Sequence, residues 1–190
     1  MVPAIVEAMP VTEADLCAHL DALGVDVETH RHPPVFTVAE AKALRGGLAG
    51  AHTKNLFLKD KKGVLWLVVA LEDRVIDLKN LRHKICAAPL SFAGADTLRA
   101  RLGVEPGSVT PFALMNDTEA AVRVVLDAEM MDAEVLNFHP LINTATTAIT
   151  AQGLLAFIRS CGREPAIVAL QVPIADRRGE TRRAAGGEGT

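Results

Sequence analysis

Cysteine is scarce and scattered. Cys17, Cys86 and Cys161 are odd in number, far apart, and part of no CxxC or Cys/His cluster. Such a set excludes a disulfide framework and a zinc site of the usual ligand spacing, and the simplest expectation is three small buried hydrophobes. Also missing is any uninterrupted apolar run of about 18 residues, the length a membrane-spanning helix needs. Residues Met1 to Glu7 lack a basic stretch leading into a long apolar segment. The expectation is a soluble cytoplasmic protein with no membrane partner. No nucleophile-elbow motif, HExxH pair or internal repeat is present, although a triad assembled from distant residues would leave no such trace.

What is present is enough for a core. With 190 residues, 49% of them hydrophobic, length and composition point to one domain over residues 1–172. A disordered tail is expected over 173–190, where the arginines and glycines from Asp176 onward have nothing to bury. The net charge of −3 gives no support for nucleic acid, but its distribution is uneven. Lys54 to Arg101 carries ten Lys/Arg against five acids, a local balance of +5, and the remainder carries −8. That segregation permits one basic face on an acidic body, as a phosphate-backbone partner would require, and is equally compatible with an ordinary solvated surface.

Local patterns place the elements. Thr12 with Asp15 three residues on, apolar residues at helical spacing and the stop at Gly24 predict a first helix. A short strand follows over Val25 to His30, then a loop stiffened by Pro33-Pro34, then a helix Val38 to Leu44 capped by Thr37. Thr53 to Val69 reads as a hairpin turning at Asp60-Lys61-Lys62-Gly63, with Lys54 and Asn55 at the mouth of its first strand. Helices are expected at Leu78 to Ala87 and Ala95 to Leu102. Gly107-Ser108-Val109-Thr110-Pro111 is a loop opening onto an apolar strand that reaches Leu114. Such a loop can aim several backbone N–H groups one way, toward an ester carbonyl or a water, and is also an ordinary turn. Strands are predicted at Ala121 to Asp127, Glu134 to Pro140, Asn143 to Ile149 and Ala166 to Val172, with a helix at Ala151 to Cys161 capped by Thr150. The class is α/β, a mixed or largely antiparallel sheet surrounded by short helices.

Three segments coincide in order and separation: Lys54-Asn55-Leu56-Phe57-Leu58-Lys59-Asp60, Gly107-Ser108-Val109-Thr110-Pro111, and Asn137-Phe138-His139-Pro140-Leu141-Ile142-Asn143-Thr144-Ala145-Thr146-Thr147. Together they resemble the YbaK/prolyl-tRNA-synthetase-associated (INS-like) editing domains, most closely the free-standing Ala-tRNA(Pro) deacylases of the ProX type, from about His30 to about Leu170. The resemblance implies that fold and a cytoplasmic hydrolase, without metal or cofactor, that removes alanine from mischarged tRNA(Pro). It implies no DNA partner, and makes prolyl-tRNA synthetase a candidate second partner. It assigns functional positions to Lys54, Asn55, Gly107, Pro111 and His139. The lysine would engage the tRNA 3′ end and the loop backbone the scissile carbonyl. Val35, Phe36, Thr37, Leu56, Ser108 and Thr144 become candidates to line the substrate pocket, Leu56 being as readily plain core. His139 can act as a base near neutral pH or hold a neighbour by hydrogen bond, and its place beside proline at a strand end favours the second.

The implied chemistry asks little of the chain. An aminoacyl ester is already reactive, so a site need only position water, stabilise the oxyanion with fixed dipoles and exclude the wrong acyl group. A pocket that accepts proline cannot strongly reject smaller alanine, because each missing methylene is worth only about 1–3 kcal/mol, and a second, smaller sieve repairs the error. Two alternatives stay open at this level: a Cys-tRNA(Pro) deacylase of the same fold, and a non-catalytic tRNA- or synthetase-binding module.

Overall fold

Four residues set the first helix. The Thr12 hydroxyl accepts from the Asp15 backbone N–H while the Asp15 carboxylate accepts from the Thr12 N–H, a reciprocal capping box that opens α1 (Glu13–Ala22). The computed structural model describes residues 9–34 and 49–171. The expected helix Val38 to Leu44, the wall candidates Val35, Phe36 and Thr37, and the tail 173–190 lie outside the described residues.

The strands are β1 (Val27–Arg31), β2 (Ala51–Asp60), β3 (Leu65–Leu71), β4 (Leu90–Phe92), β5 (Val122–Asp127), β6 (Val135–Phe138), β7 (Ala145–Thr150) and β8 (Ala166–Val168). Between them lie α2 (Leu78–Lys84), α3 (Ala95–Leu102), α4 (Ala151–Ser160) and two 3₁₀ helices, Pro111–Asn116 and Glu129–Asp132. The strands form one sheet in the order β1-β7-β6-β2-β3-β5-β8, with β4 also beside β2. Four pairings are antiparallel and three, β2·β6, β3·β5 and β5·β8, are parallel. The expected mixed α/β architecture is therefore what the chain adopts.

Side chains alternate across a strand, and here the alternation feeds two cores. Phe57, Leu67, Val69, Val124, Leu126, Leu136, Phe138 and Ile149 face one side and pack with α1, α3, α4 and the first 3₁₀ helix. Phe112 sits fully buried at its centre, its ring 5.9 Å from that of Phe138 and 5.2 Å from that of Phe157, both edge-on. Leu58, Trp66, Val68, Ala70 and Val125 face the other side, against Leu81 of α2 and Leu170.

Three expectations are corrected. The apolar stretch after Gly107 is not a strand: Pro111 opens a 3₁₀ helix whose Phe112 N–H is taken by the Thr110 hydroxyl, and proline's fixed φ suits that first turn. The helix begun at Leu78 stops at Lys84 rather than Ala87, and β8 ends at Val168 rather than Val172. The cysteines are not buried: Cys17 and Cys86 are exposed and Cys161 is half-buried. Cys17 follows inward-facing Leu16 on α1, so the helix turns it outward, and Cys86 occupies the turn after α2 at φ 54°. Burial still pushes the Cys161 thiol pKa up.

Candidate functional site

β2 organises the site because it is paired unevenly. One edge runs beside β3 from Thr53 to Lys59. The other meets β6 only at Ala51 and His52, and β4 only from Leu58 to Asp60. Between them residues 53–57 face no strand among the described residues. Which peptide groups face the gap follows from three bonds. Glu72 N–H donates to the His52 carbonyl (2.9 Å), Asp60 N–H to the Val64 carbonyl (3.0 Å) and Ala93 N–H to the Phe57 carbonyl (3.0 Å). Even-numbered peptides thus face β3, and the N–H and C=O of Asn55 face the gap.

The start of β2 is fixed by contacts that the sequence does not advertise. Asn137 of β6 donates its amide to the carbonyls of Ala49 (3.0 Å) and Ala51 (3.4 Å), and its own carbonyl accepts from the Thr53 hydroxyl (2.9 Å). Gly50, at φ 103°, passes so close to β6 that a Cβ would lie 2.8 Å from the Val135 carbonyl oxygen. Only glycine meets both demands.

Lys54 and Asn55 point to opposite faces of the strand. Lys54 shares the face of Leu56, which packs on the second core, and its ammonium donates to the Arg74 carbonyl. Burial pulls the lysine pKa below its ordinary value; Asp73 and Glu72 pull it back up, and the Arg74 charge lowers it further. Arg74 is itself pinned, its guanidinium held 2.8 Å from fully buried Asp127 and 2.5 Å from Glu129. Asp127, Arg74 and Lys54 therefore form a chain of support across β5, the turn after β3, and β2. Asn55 shares the face of Phe57. Its side-chain oxygen is buried without a hydrogen-bond partner, which ordinarily costs about 1–3 kcal/mol.

The 107–111 loop lies between two elements that touch the strands flanking this gap. α3 departs from the end of β4, where Ala93 holds Phe57, and the following 3₁₀ helix seats Phe112 against Phe138 at the end of β6. The chain from α3 to the 3₁₀ helix thus runs from the β4 side of the gap to the β6 side. Its start is stapled by the Arg99 guanidinium, which donates to both Glu105 oxygens at 2.8 Å. Gly107 has φ 94°, while a Cβ there would meet nothing within 4 Å, so backbone conformation rather than crowding calls for glycine. Ser108 is buried and its N–H is committed to the Glu105 carbonyl (2.9 Å). Among the described residues no bond takes the N–H groups of Gly107, Val109 or Thr110. Pro111 is buried. No hydrogen bond among the described residues joins this loop to Lys54, Asn55 or His139.

His139 leaves β6 on the opposite rim. Its Nδ1 lies 3.0 Å from the Ala145 carbonyl, and because a carbonyl only accepts, Nδ1 carries the proton there. One residue given no site role from the sequence lies beside it: the ring of His32 is 6.2 Å from that of His139, and its Nε2 is 3.0 Å from the Thr146 hydroxyl. The Thr144 carbonyl accepts from the His32 N–H (3.0 Å). Arg74 and Asp127 were equally unassigned, for 53 residues separate them and nothing local marks the pair. No group of three or more His, Cys, Asp or Glu that could hold a metal occurs among the described residues, and no helix there is long and apolar enough to cross a membrane.

Known proteins resemble this chain. Residues 32–157 match the family model described as an aminoacyl-tRNA editing domain. The prolyl-tRNA synthetase associated domain-containing protein 1 of Xenopus laevis is 40% identical over 159 residues, 81% of this chain and 94% of that protein. The prolyl-tRNA editing protein ProX of Acetoanaerobium sticklandii is 37% identical over 146 residues, 76% and 89% of the two chains. A crystal structure of a candidate trans-editing enzyme for prolyl tRNA synthetase superposes with a TM-score of 0.61, covering 83% of this chain and 97% of that one at 20% identity, which speaks to the fold alone. With two-thirds of its length under one family model and full-length relatives near 40% identity, the chain belongs to the aminoacyl-tRNA editing domain family.

Proposed function

We propose that this protein is a trans-editing deacylase that hydrolyses the ester of mischarged Ala-tRNA(Pro), working in the cytoplasm behind prolyl-tRNA synthetase. The observation that carries the reading is the edge of β2 at Asn55, which meets no strand among the described residues. There, main-chain and side-chain groups are held ready, with a buried oxygen lacking a donor, in a fold that has no stability reason to leave it so. The donor-rich end of a charged tRNA, with its α-ammonium and ribose hydroxyl, supplies what that oxygen lacks. Lys54 supplies positive charge to the 3′ end from the other face of the strand.

In this reading the loop N–H groups of Gly107, Val109 and Thr110 are set to stabilise the developing oxyanion, a task that fixed backbone dipoles perform without reorganisation. Pro111 and the Thr110 cap hold the loop's far end rigid. His139, its Nδ1 held by the Ala145 carbonyl, is the candidate for positioning a neighbouring group of the site by hydrogen bond. Val35, Phe36, Thr37, Leu56, Ser108 and Thr144 are the proposed walls of a small acyl pocket. ProX, named as a prolyl-tRNA editing protein, supports the editing reading, while the choice of alanine over cysteine rests on the wording of Lys54-Asn55-Leu56-Phe57 and Asn137-Phe138-His139-Pro140.

The test is a panel of Ala-tRNA(Pro), Cys-tRNA(Pro), Pro-tRNA(Pro) and Ala-tRNA(Ala), each followed for ester loss with purified protein. Selective loss of alanine from tRNA(Pro) is expected. Faster turnover of Cys-tRNA(Pro) would refute the choice of acyl group, and tRNA binding with no ester loss would refute catalysis.

A further inference from the structure

The excess of positive charge between Lys54 and Arg101 divides into two populations. Arg74, Arg99 and Arg101 are spoken for, each held by carboxylates at 2.5–3.2 Å. Lys59, Lys61, Lys62, Lys79 and Arg82 make no side-chain ion pair or hydrogen bond among the described residues, and Arg82 keeps a buried Nε without a partner.

Four of them lie together, Lys61 and Lys62 on the β2–β3 turn and Lys79 and Arg82 on α2, whereas Lys59 shares the face of Asn55 and Phe57, across the strand from α2. The Lys61 N–H donates to the Pro89 carbonyl (3.0 Å) and the Ala88 N–H reaches the Asp60 carboxylate (3.4 Å), which seats the β2–β3 turn against the chain leaving α2. The other end of α2 begins at Asp77, three residues beyond the Arg74 carbonyl that holds Lys54. Leu81 buries the inner side of α2 on the face of β2 that carries Lys54. The segment from Asp77 to Pro89, of which the helix supplies about 10 Å at roughly 1.5 Å per residue, thus leads from the Lys54 end of β2 toward its turn. Lys79 and His83, four residues apart, are exposed along it. The turn's own acid does not offset this charge: Asp60 is buried and accepts from the N–H groups of Lys62, Val64 and Ala88. Asp77 caps Lys79 N–H at the start of the helix.

Cations held apart from acids, in a row that leads to a candidate site for the end of an RNA, fit a phosphate backbone. We propose that the ridge of Lys61, Lys62, Lys79 and Arg82 docks the phosphates of the acceptor arm of the charged tRNA while its 3′ end reaches the gap in β2. This rests on the editing reading above.

The test measures binding of a fluorescein-labelled, uncharged acceptor-stem minihelix of tRNA(Pro) to the full chain by anisotropy across a salt series. Ester loss from Ala-tRNA(Pro) is followed with the same wild-type preparation. The K61E/K62E/K79E variant is expected to bind at least tenfold more weakly, with a log–log salt slope shallower by about 2–3, since each lost phosphate contact removes about 1. K61Q/K62Q/K79Q, which disturbs the fold less, should show the same loss of slope, whereas R159Q on α4 should bind as wild type does. Unchanged affinity and slope in both triple variants would overturn the ridge, even where the wild type hydrolyses the ester. Wild-type binding lost in the variants, without hydrolysis by any of them, would support the ridge and overturn the editing reading instead. A ridge that binds an acidic protein but not the minihelix would overturn it as well.

Discussion

At Asn55 the stability and function readings make opposite predictions. Its buried oxygen has no partner, so replacing the side chain by an apolar one of similar size removes a desolvation cost. Asn55→Leu is expected to raise thermal stability slightly, by about 1 kcal/mol, while slowing ester hydrolysis at least tenfold. Urea unfolding and single-turnover hydrolysis measured side by side check both, and a variant that stays fully active would remove Asn55 from the site. Lys54 gives a pH signature. Because burial lowers its pKa and Asp73 raises it again, the positively charged form is lost on the alkaline side earlier than for an exposed lysine. Asp73→Asn withdraws one raising influence and should move the alkaline limb of kcat/KM to lower pH, after correction for spontaneous ester loss. A limb that moved upward or stayed in place would show that Lys54 does not set it.

At the scale of elements, the loop between α3 and the first 3₁₀ helix is the part whose backbone conformation most constrains its sequence. Gly107→Ala forces a side chain onto a positive φ, which costs roughly 1–2 kcal/mol, and turns the neighbouring N–H groups away. It should lower kcat more than it raises KM, by steady-state kinetics; a change in KM alone would count against an oxyanion role. This loop also marks where sequence reading stops. The capping box of Thr12 and Asp15, the Asp60-to-Gly63 turn and the limits of α3 are legible because each is decided by residues within a few positions of one another. Phe112-Ala113-Leu114 reads as strand because apolarity alone cannot separate a buried strand from a buried helical turn; the Thr110 cap and Pro111 decide it. The candidate positions Lys54, Asn55, Gly107 and His139 were legible as motifs. Their arrangement was not, since the open edge of β2 depends on where β6 and β4 stop, and those pairings join residues 30 or more apart in the chain. The support of Lys54 by Arg74 and Asp127 was hidden for the same reason.

At the scale of the molecule, the sheet between the two cores is secured at the entry to β5 by a buried ion pair. Arg163 lies 2.5 Å from the Asp117 carboxylate, both almost fully buried, and also donates to the Asp117 and Val122 carbonyls, while Asp117 accepts from the Val122 N–H at 2.8 Å. Removing one partner strands the other charge, so Asp117→Ala is expected to destabilise the fold by about 3–5 kcal/mol in urea unfolding, far more than an exposed pair such as Arg159–Glu164 would. Its distance from β2 in the sheet order, beyond β3 at the start of β5, makes it a stability residue, and a loss of activity without a loss of stability would contradict that. The central claim lies at the other end of the fold, where Lys54 meets the unpaired stretch of β2. Single-turnover hydrolysis of Ala-tRNA(Pro) by the intact protein and by Lys54→Ala tests it most directly. The account predicts rapid ester loss with the wild type and a rate about 100-fold lower for the variant, the scale on which misplacing a substrate slows a reaction. Equal rates for the two proteins would contradict it.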